Sequence, residues 1–235
     1  MRVTLIIPAL NEAACIGPLL AELPPGLAHE VLVVDNGSTD DTAGAARRSG
    51  ARVVLESRRG YGYACAAGVA AATGDLLAFM DGDGSFIPGE LAALLAPIVD
   101  GSADLVLGTR MRGGMAAGAM PAHQRFGNLL VARLMHRLYG LRLTDLGPFR
   151  AVRRDLLSTL EMGEMTYGWP VEMIVKAARR YARIVELPVS YRPRMAGESK
   201  VGGTVRGTVL ATYRILRTTF RYAIGGVAQP RRLGM

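Results

Sequence analysis

Short, nearly continuous apolar runs alternate with helix-like stretches along the first hundred residues. VTLIIPAL (3–10), EVLVVD (30–35), RVVLES (52–57) and LLAFM (76–80) have the length and character of strands buried on both faces, with Pro8 near the end of the first. Between them lie NEAACIGPLLAEL, with Asn11 placed as a helix N-cap and Gly17-Pro18 as a weak point, then AGAARR, opened by NGSTDDT, and a small-residue helix from about Tyr61 to Thr73. This alternation predicts an α/β doubly wound, Rossmann-like, mostly parallel sheet with helices on both faces over residues 1–110. Ligands of such sheets bind beyond the carboxyl ends of the strands. The polar clusters NE, DNGSTDDT, RRGYG and DGDGS fall at those four ends.

Beyond Gly108 the pattern is less regular. It predicts a helix over about 125–139, a helix around 171–180 and a strand RIVELPVSY (183–191), and leaves LTDLGPFRAVRR unassigned. GTRMRGGMAAGAMP (108–121) is long for a connection and reads either as a mobile functional loop or as a disordered one. The expected organisation is one globular domain over 1–203 and a basic amphipathic tail over 204–235. On a helical projection of that tail Arg206, Arg214, Arg217 and Arg221 share an arc of roughly 80°, while Val209, Leu216 and Phe220 point elsewhere. Such a helix suits a headgroup layer, its arginines drawn to anionic lipid, or packing on its own domain or on a second subunit in a homodimer.

With 235 residues, half of them hydrophobic, the chain fits a single domain. Cys15 and Cys65 lie far apart without metal-ligand spacing and read as small core residues in a reducing compartment. Neither a signal peptide nor a membrane span is recognisable, so the expected location is cytoplasmic, peripheral on the cytoplasmic face of a membrane. Charge is divided unevenly: residues 1–100 carry 6 Lys+Arg against 12 Asp+Glu, and residues 101–235 carry 22 against 8. The basic half raises the alternative of a nucleic-acid-binding module, but interleaved aromatics in known binding motifs are missing, and no nucleic acid is expected as a partner.

MDGDGSF (80–86) ends the fourth apolar run with two carboxylates, Asp81 and Asp83, one glycine apart. Asp-Gly pairs are common turn formers, so a plain turn is one reading. In extended geometry, however, alternate residues leave the chain on the same side, and two hard oxygen donors with Gly82 and Gly84 beside them suit a divalent cation holding a diphosphate. Asn11, Glu12 and Asp35 at neighbouring ends could accept from base or ribose donors, and Arg58 could meet phosphate. RRGYGYACAAG approaches a dinucleotide fingerprint, yet Cys65 replaces its third glycine and it follows the third strand, so it reads as a helix packed tightly on the sheet. The three histidines, His29, His123 and His136, show no metal-ligand spacing.

PALNEAACI, VVDNGSTDDT, GYGYACAAGVAAATGD, MDGDGSF, GTRMRGG, DLGPFRAVRRDLL, WPVEMIVKAARR and VELPVSYRPRMAGESK, in this order over roughly residues 1–205, resemble the motifs of family 2 glycosyltransferases of the dolichyl- and polyprenyl-phosphate sugar synthase branch. The resemblance implies the fold called GT-A, a nucleotide-sugar donor, Mg2+ or Mn2+, inversion at the anomeric carbon and a polyprenyl-phosphate acceptor. It implies that Pro8, Leu10, Asn11, Glu12 and Asp35 line the nucleoside pocket and that Asp81 and Asp83 hold metal and diphosphate. Arg58, Gly62, Gly82 and Lys200 complete the expected donor contacts, Lys200 from the glycine-flanked stretch AGESKVGG, a lid or an exposed linker. Arg110 and Arg125, with Arg192, are the expected acceptor-phosphate contacts, and Asp83, Arg110 and Arg125 the expected catalytic residues. Glu172 in WPVEM is expected to be structural or acceptor-side, and no general base is assigned. Asn36 and Ser85 stand where dolichyl-phosphate mannose synthases carry a second Asp and a Gln, which leaves UDP and GDP donors both open. A small soluble or protein acceptor is the alternative within the same family.

Overall fold

The computed structural model describes residues 1–197 and 205–223. Among them are strands β1 (Val3–Ala9), β2 (Glu30–Asp35), β3 (Arg52–Leu55), β4 (Leu76–Phe79), β5 (Leu105–Thr109), β6 (Arg150–Arg153) and β7 (Ile184–Pro188). The helices are α1 (Ala13–Ala21), α2 (Thr42–Arg48), α3 (Tyr61–Ala71), α4 (Leu91–Val99), α5 (Ala122–Tyr139), α6 (Arg154–Thr159), α7 (Trp169–Arg179) and α8 (Val205–Arg221). The strands form one sheet in the order β3-β2-β1-β4-β6-β5-β7. β1 pairs in parallel with β2 and β4, as β2 does with β3 and β5 with β7, whereas β6 runs antiparallel to both β4 and β5.

Continuous apolar runs become strands here because both faces of the sheet are covered. Leu5, Ile7 and Val33 belong to the core layer with Leu19, Leu94 and Phe86, while Ile6, Leu32, Val34 and Phe79 meet α3 and α7 on the other face. Phe79 meets Trp169 edge to face at 5.1 Å between ring centroids. Cys15 and Cys65 are buried free thiols.

Asn11 does not cap a helix. It adopts φ 54°, and its side-chain oxygen accepts from the Thr39 amide at 2.8 Å, tying the end of β1 to the loop after β2. Pro18 lies within α1. The unassigned segment contains β6, whose four residues are too short to show a period. The 108–121 stretch is fastened along the chain after β7: the Tyr191 amide donates to Gly114 O and the Ala116 amide to Tyr191 O, and Met120 is buried.

The glycine-rich α3 seats closely on the sheet. A Cβ at Gly68 would lie 2.4 Å from Ile6 Cγ2, and one at Gly62 would meet the backbone of Glu164 and Met165 at 2.4–2.5 Å. Gly68→Ala is therefore expected to cost about 1–3 kcal/mol through overpacking, read as a lower midpoint in urea with an unchanged slope.

Candidate active site

The carboxyl ends of the parallel strands converge on a cavity of about 670 Å3. Pro8 lies at the end of β1 and Leu10 and Glu12 just beyond it, Asn36 follows β2, Arg59 and Tyr61 follow β3, Asp81, Gly82 and Asp83 follow β4, and Arg110 follows β5; all line it. α5 and α8 close the far side.

Asp81 and Asp83 share the wall, and each is fixed differently. Asp83 accepts from the Ser85 amide at 3.0 Å and from its hydroxyl at 2.6 Å, so the residue standing in place of the family's Gln orients the second carboxylate. Asp81 lies deeper. Desolvation, and then the neighbouring charge of Asp83, push its carboxyl up to about 7 against the pull of Arg110 and Tyr61. Two carboxylates that resist joint ionisation form a place where a cation would relieve the repulsion. Two hard carboxylate donors suit a divalent ion, which would need further ligands from outside the protein, because no group of three or more acidic, His or Cys ligands exists among the described residues.

Arg110 is held by a buried partner. Its Nε and Nη2 donate to Asp145 at 2.7 and 2.8 Å and its amide does so at 2.9 Å, while its guanidinium lies 5.1 Å from the Tyr191 ring centre. Burial by itself would raise the fully buried Asp145 carboxyl, but the Arg110 bonds keep it below the usual carboxylate range. Glu186 on β7 holds the Asp145 backbone, accepting from the amides of Thr144 and Asp145 at 2.8 and 2.9 Å; buried Arg150 on β6 ties the following turn to α7, donating to the carbonyls of Gly147 and Pro170 at 2.8 and 3.0 Å.

A strap after β7 crosses the paired acids. The Met195 amide donates to Asp83 O, the Arg192 amide to Ser85 O and the Arg192 Nε to Gly84 O at 2.6 Å, while Arg194 bonds both Glu12 oxygens at 2.9 and 2.7 Å. Gly84 is required twice over, by its φ of 76° and because a Cβ there would lie 2.5 Å from Met195.

Of the residues singled out by sequence, Pro8, Leu10, Glu12, Asp81, Gly82, Asp83 and Arg110 are brought together on the wall. Several others are placed off it. Arg58 is spent on a bidentate pair with Glu56 and stacks on Tyr63, and Arg59 lines the cavity in its stead. Asp35 accepts from the Ser38 amide, Asn11 holds Thr39, and Gly62 makes room for the 164–165 backbone. Arg125 is exposed and off the wall, because on α5 it is His123, Gln124, Gly127, Asn128, Leu130 and Val131 that line the cavity. Arg192 is committed to Gly84 and Glu22. Lys200 lies outside the described residues. Glu172 is structural in its contacts, accepting from the amides of Gly163 and Glu164 and from the Tyr222 hydroxyl. Sequence reasoning missed Asp145 and Glu186; the one available signal was a carboxylate inside an otherwise apolar segment, for each of them.

Residues 4–160 match the family described as Glycosyl transferase family 2. An uncharacterized glycosyltransferase of Mycobacterium tuberculosis is 43% identical over 209 residues, which cover 89% of this chain and 94% of the relative. A dolichyl-phosphate hexose transferase of Haloferax volcanii is 36% identical over 204 residues, 85% of this chain and 86% of that one. Among solved structures, glucosyl-3-phosphoglycerate synthase from Mycobacterium tuberculosis, in complex with Mn2+, UDP-glucose and phosphoglyceric acid, superposes with a TM-score of 0.76 at 26% identity, covering 94% of this chain and 79% of that one. The chain belongs to glycosyl transferase family 2: it is a glycosyltransferase with a GT-A fold.

Proposed function

We propose that the protein transfers a hexose from a UDP- or GDP-linked donor to a polyprenyl phosphate at a membrane surface, with inversion at the anomeric carbon. The observation that carries this reading is the apolar arm of the cavity. Beyond Arg110 its wall is Met120, Leu130, Val131 and Leu146 on one side and Leu210, Ala211, Ile215 and Leu216 on the other. Leu130 and Leu210 are also 42% and 44% exposed, so the arm opens to the outside between α5 and α8. Phe126 and Leu129 on α5, with Val209, Tyr213 and Phe220 on α8, are exposed apolar side chains of the same two helices, which also expose Arg133, Arg217 and Arg221. An apolar arm between two helices that expose both apolar and cationic side chains matches a prenyl chain in an anionic bilayer. No helix among the described residues is long and apolar enough to cross a membrane, which accords with contact from one side.

In the reaction an acceptor phosphate oxygen bonds to the anomeric carbon as the bond to the donor diphosphate breaks, its electron pair leaving with the diphosphate. An ionised phosphate needs cationic positioning more than a strong base, and Arg110, oriented by Asp145, supplies it. Glu12 and Asn36 face the nucleoside end. Asp81 and Asp83 would hold Mg2+ or Mn2+, which when bound offsets the charge gained by the leaving diphosphate.

A panel of UDP- and GDP-sugars with Mn2+ tests the reading against two acceptors, vesicle-borne undecaprenyl phosphate and 3-phosphoglycerate. Transfer to the lipid phosphate alone is expected. Transfer only to 3-phosphoglycerate would overturn the proposal and favour a small soluble acceptor, which the phosphoglyceric acid in the superposed structure makes the second reading.

A further inference from the structure

Five cationic or potentially cationic side chains, Arg59, Arg110, His123, Arg194 and Arg214, line the cavity. Three of the arginines are committed. Arg59 donates to Gly37 O, Arg110 is neutralised by Asp145, and Arg194 by Glu12. Arg214 differs: its guanidinium makes no hydrogen bond or ion pair among the described residues, and its Nε is buried without a partner. Its helical position alone puts it on the same arc as Arg217 and Arg221, yet those two are exposed while Arg214 is turned towards the cavity. The cause is the seat of α8, which buries Ala211, Thr218 and Thr219 against α7 and α5. A desolvated nitrogen donor with nothing to bond is costly unless a ligand supplies the acceptor.

We infer that Arg214 is a binding residue for the acceptor phosphate, opposite Arg110; the inference rests on the polyprenyl-phosphate reading above. Two placements favour the acceptor over the donor. Arg214 is flanked on α8 by Leu210, Ala211 and Ile215, the wall of the apolar arm, whereas the nucleoside end is built from the strand ends. Ile215 also packs in one cluster with Val131 and Leu146, and Leu146 adjoins the Asp145 that orients Arg110. The two arginines thus flank one apolar seam. With Arg110 already compensated, a phosphate monoester needs a second positive charge at the head of that seam, and Arg214 supplies it.

The test uses the full chain with Mn2+, the nucleotide sugar that the donor panel identifies, farnesyl phosphate as a soluble prenyl monophosphate, and the variants Arg214→Gln and Arg214→Lys. Arg214→Gln is expected to raise the KM for farnesyl phosphate about tenfold or more, with the Kd for the donor's nucleoside diphosphate in Mn2+ unchanged, and Arg214→Lys to recover part of the loss. Because the parent carries a buried Nε without a partner, the Tm of Arg214→Gln is expected to equal or exceed that of the parent. An unchanged KM, an equal loss of affinity for that nucleoside diphosphate, or a lowered Tm in both variants would each overturn the inference while leaving the acceptor reading intact. A parent that uses no prenyl phosphate under these conditions would overturn the acceptor reading itself, and the inference with it.

Discussion

Asp81→Asn is expected to lower sugar transfer by about a thousandfold or more and, in the absence of metal at pH 8, to make the protein more stable than the parent. The two effects have one source. Asp81 is held deep in the cavity beside Asp83, and its folded-state pKa of about 7 lies above the ordinary carboxylate value. A carboxyl raised on folding contributes stability fully below its unfolded pKa, near 4, and loses that contribution as pH rises through the folded value. At pH 8 the parent bears the cost of an ionised carboxylate beside a second one. Asparagine keeps the shape and removes the charge. The gain in Tm should therefore be present at pH 8 and vanish near pH 4. Conversely, the nucleoside diphosphate of the sugar donor, saturating with Mn2+, should raise the Tm of the parent, by about 2.7 kcal/mol of stability at a hundred times Kd, and not that of the variant. A variant with parental turnover would remove the paired acids from the reaction.

Asp145→Ala is expected to be the most damaging single change to stability. It leaves Arg110 as an uncompensated buried cation, which costs about 3–5 kcal/mol, or a fall in Tm of roughly 6–20 °C for a chain of this size. Transfer should fall further than stability explains, because Arg110 loses the fork that aims it. The double variant Arg110→Met/Asp145→Leu separates the two. Replacing a buried pair with apolar groups of similar volume is often neutral, so thermal unfolding should return towards the parental Tm while transfer stays lost. A parental Tm for Asp145→Ala would show that the pair contributes nothing to the fold.

The parts of the site that sequence made legible are those built from neighbours in the chain. Asp81 and Asp83 could be read together because a strand end sets their spacing, and Glu12 because it follows an apolar run directly. Asp145 and Glu186 could not, since each acts through a partner distant in the chain: Asp145 lies 35 positions from Arg110, and Glu186 lies 41 from Asp145. Arg58 and Arg59 are adjacent and chemically alike, and only the Glu56 fork, which takes up the first, leaves the second on the wall. The antiparallel β6 escaped because four residues carry too little pattern, and its direction is set by the strands on either side.

The sequence by itself determined the alternation of strands and helices, hence the layered sheet, and placed the acids at its carboxyl edge, because burial and periodicity are local properties of a chain. Which arginines face that edge was decided only by the tertiary structure. A cation's role depends on whether another element offers it a carboxylate, and on how the seat of a helix turns one side chain inward and its neighbour on the same arc to solvent. That is why Arg110 and Arg214 stand at the cavity, while Arg125, Arg192 and Arg217 do not.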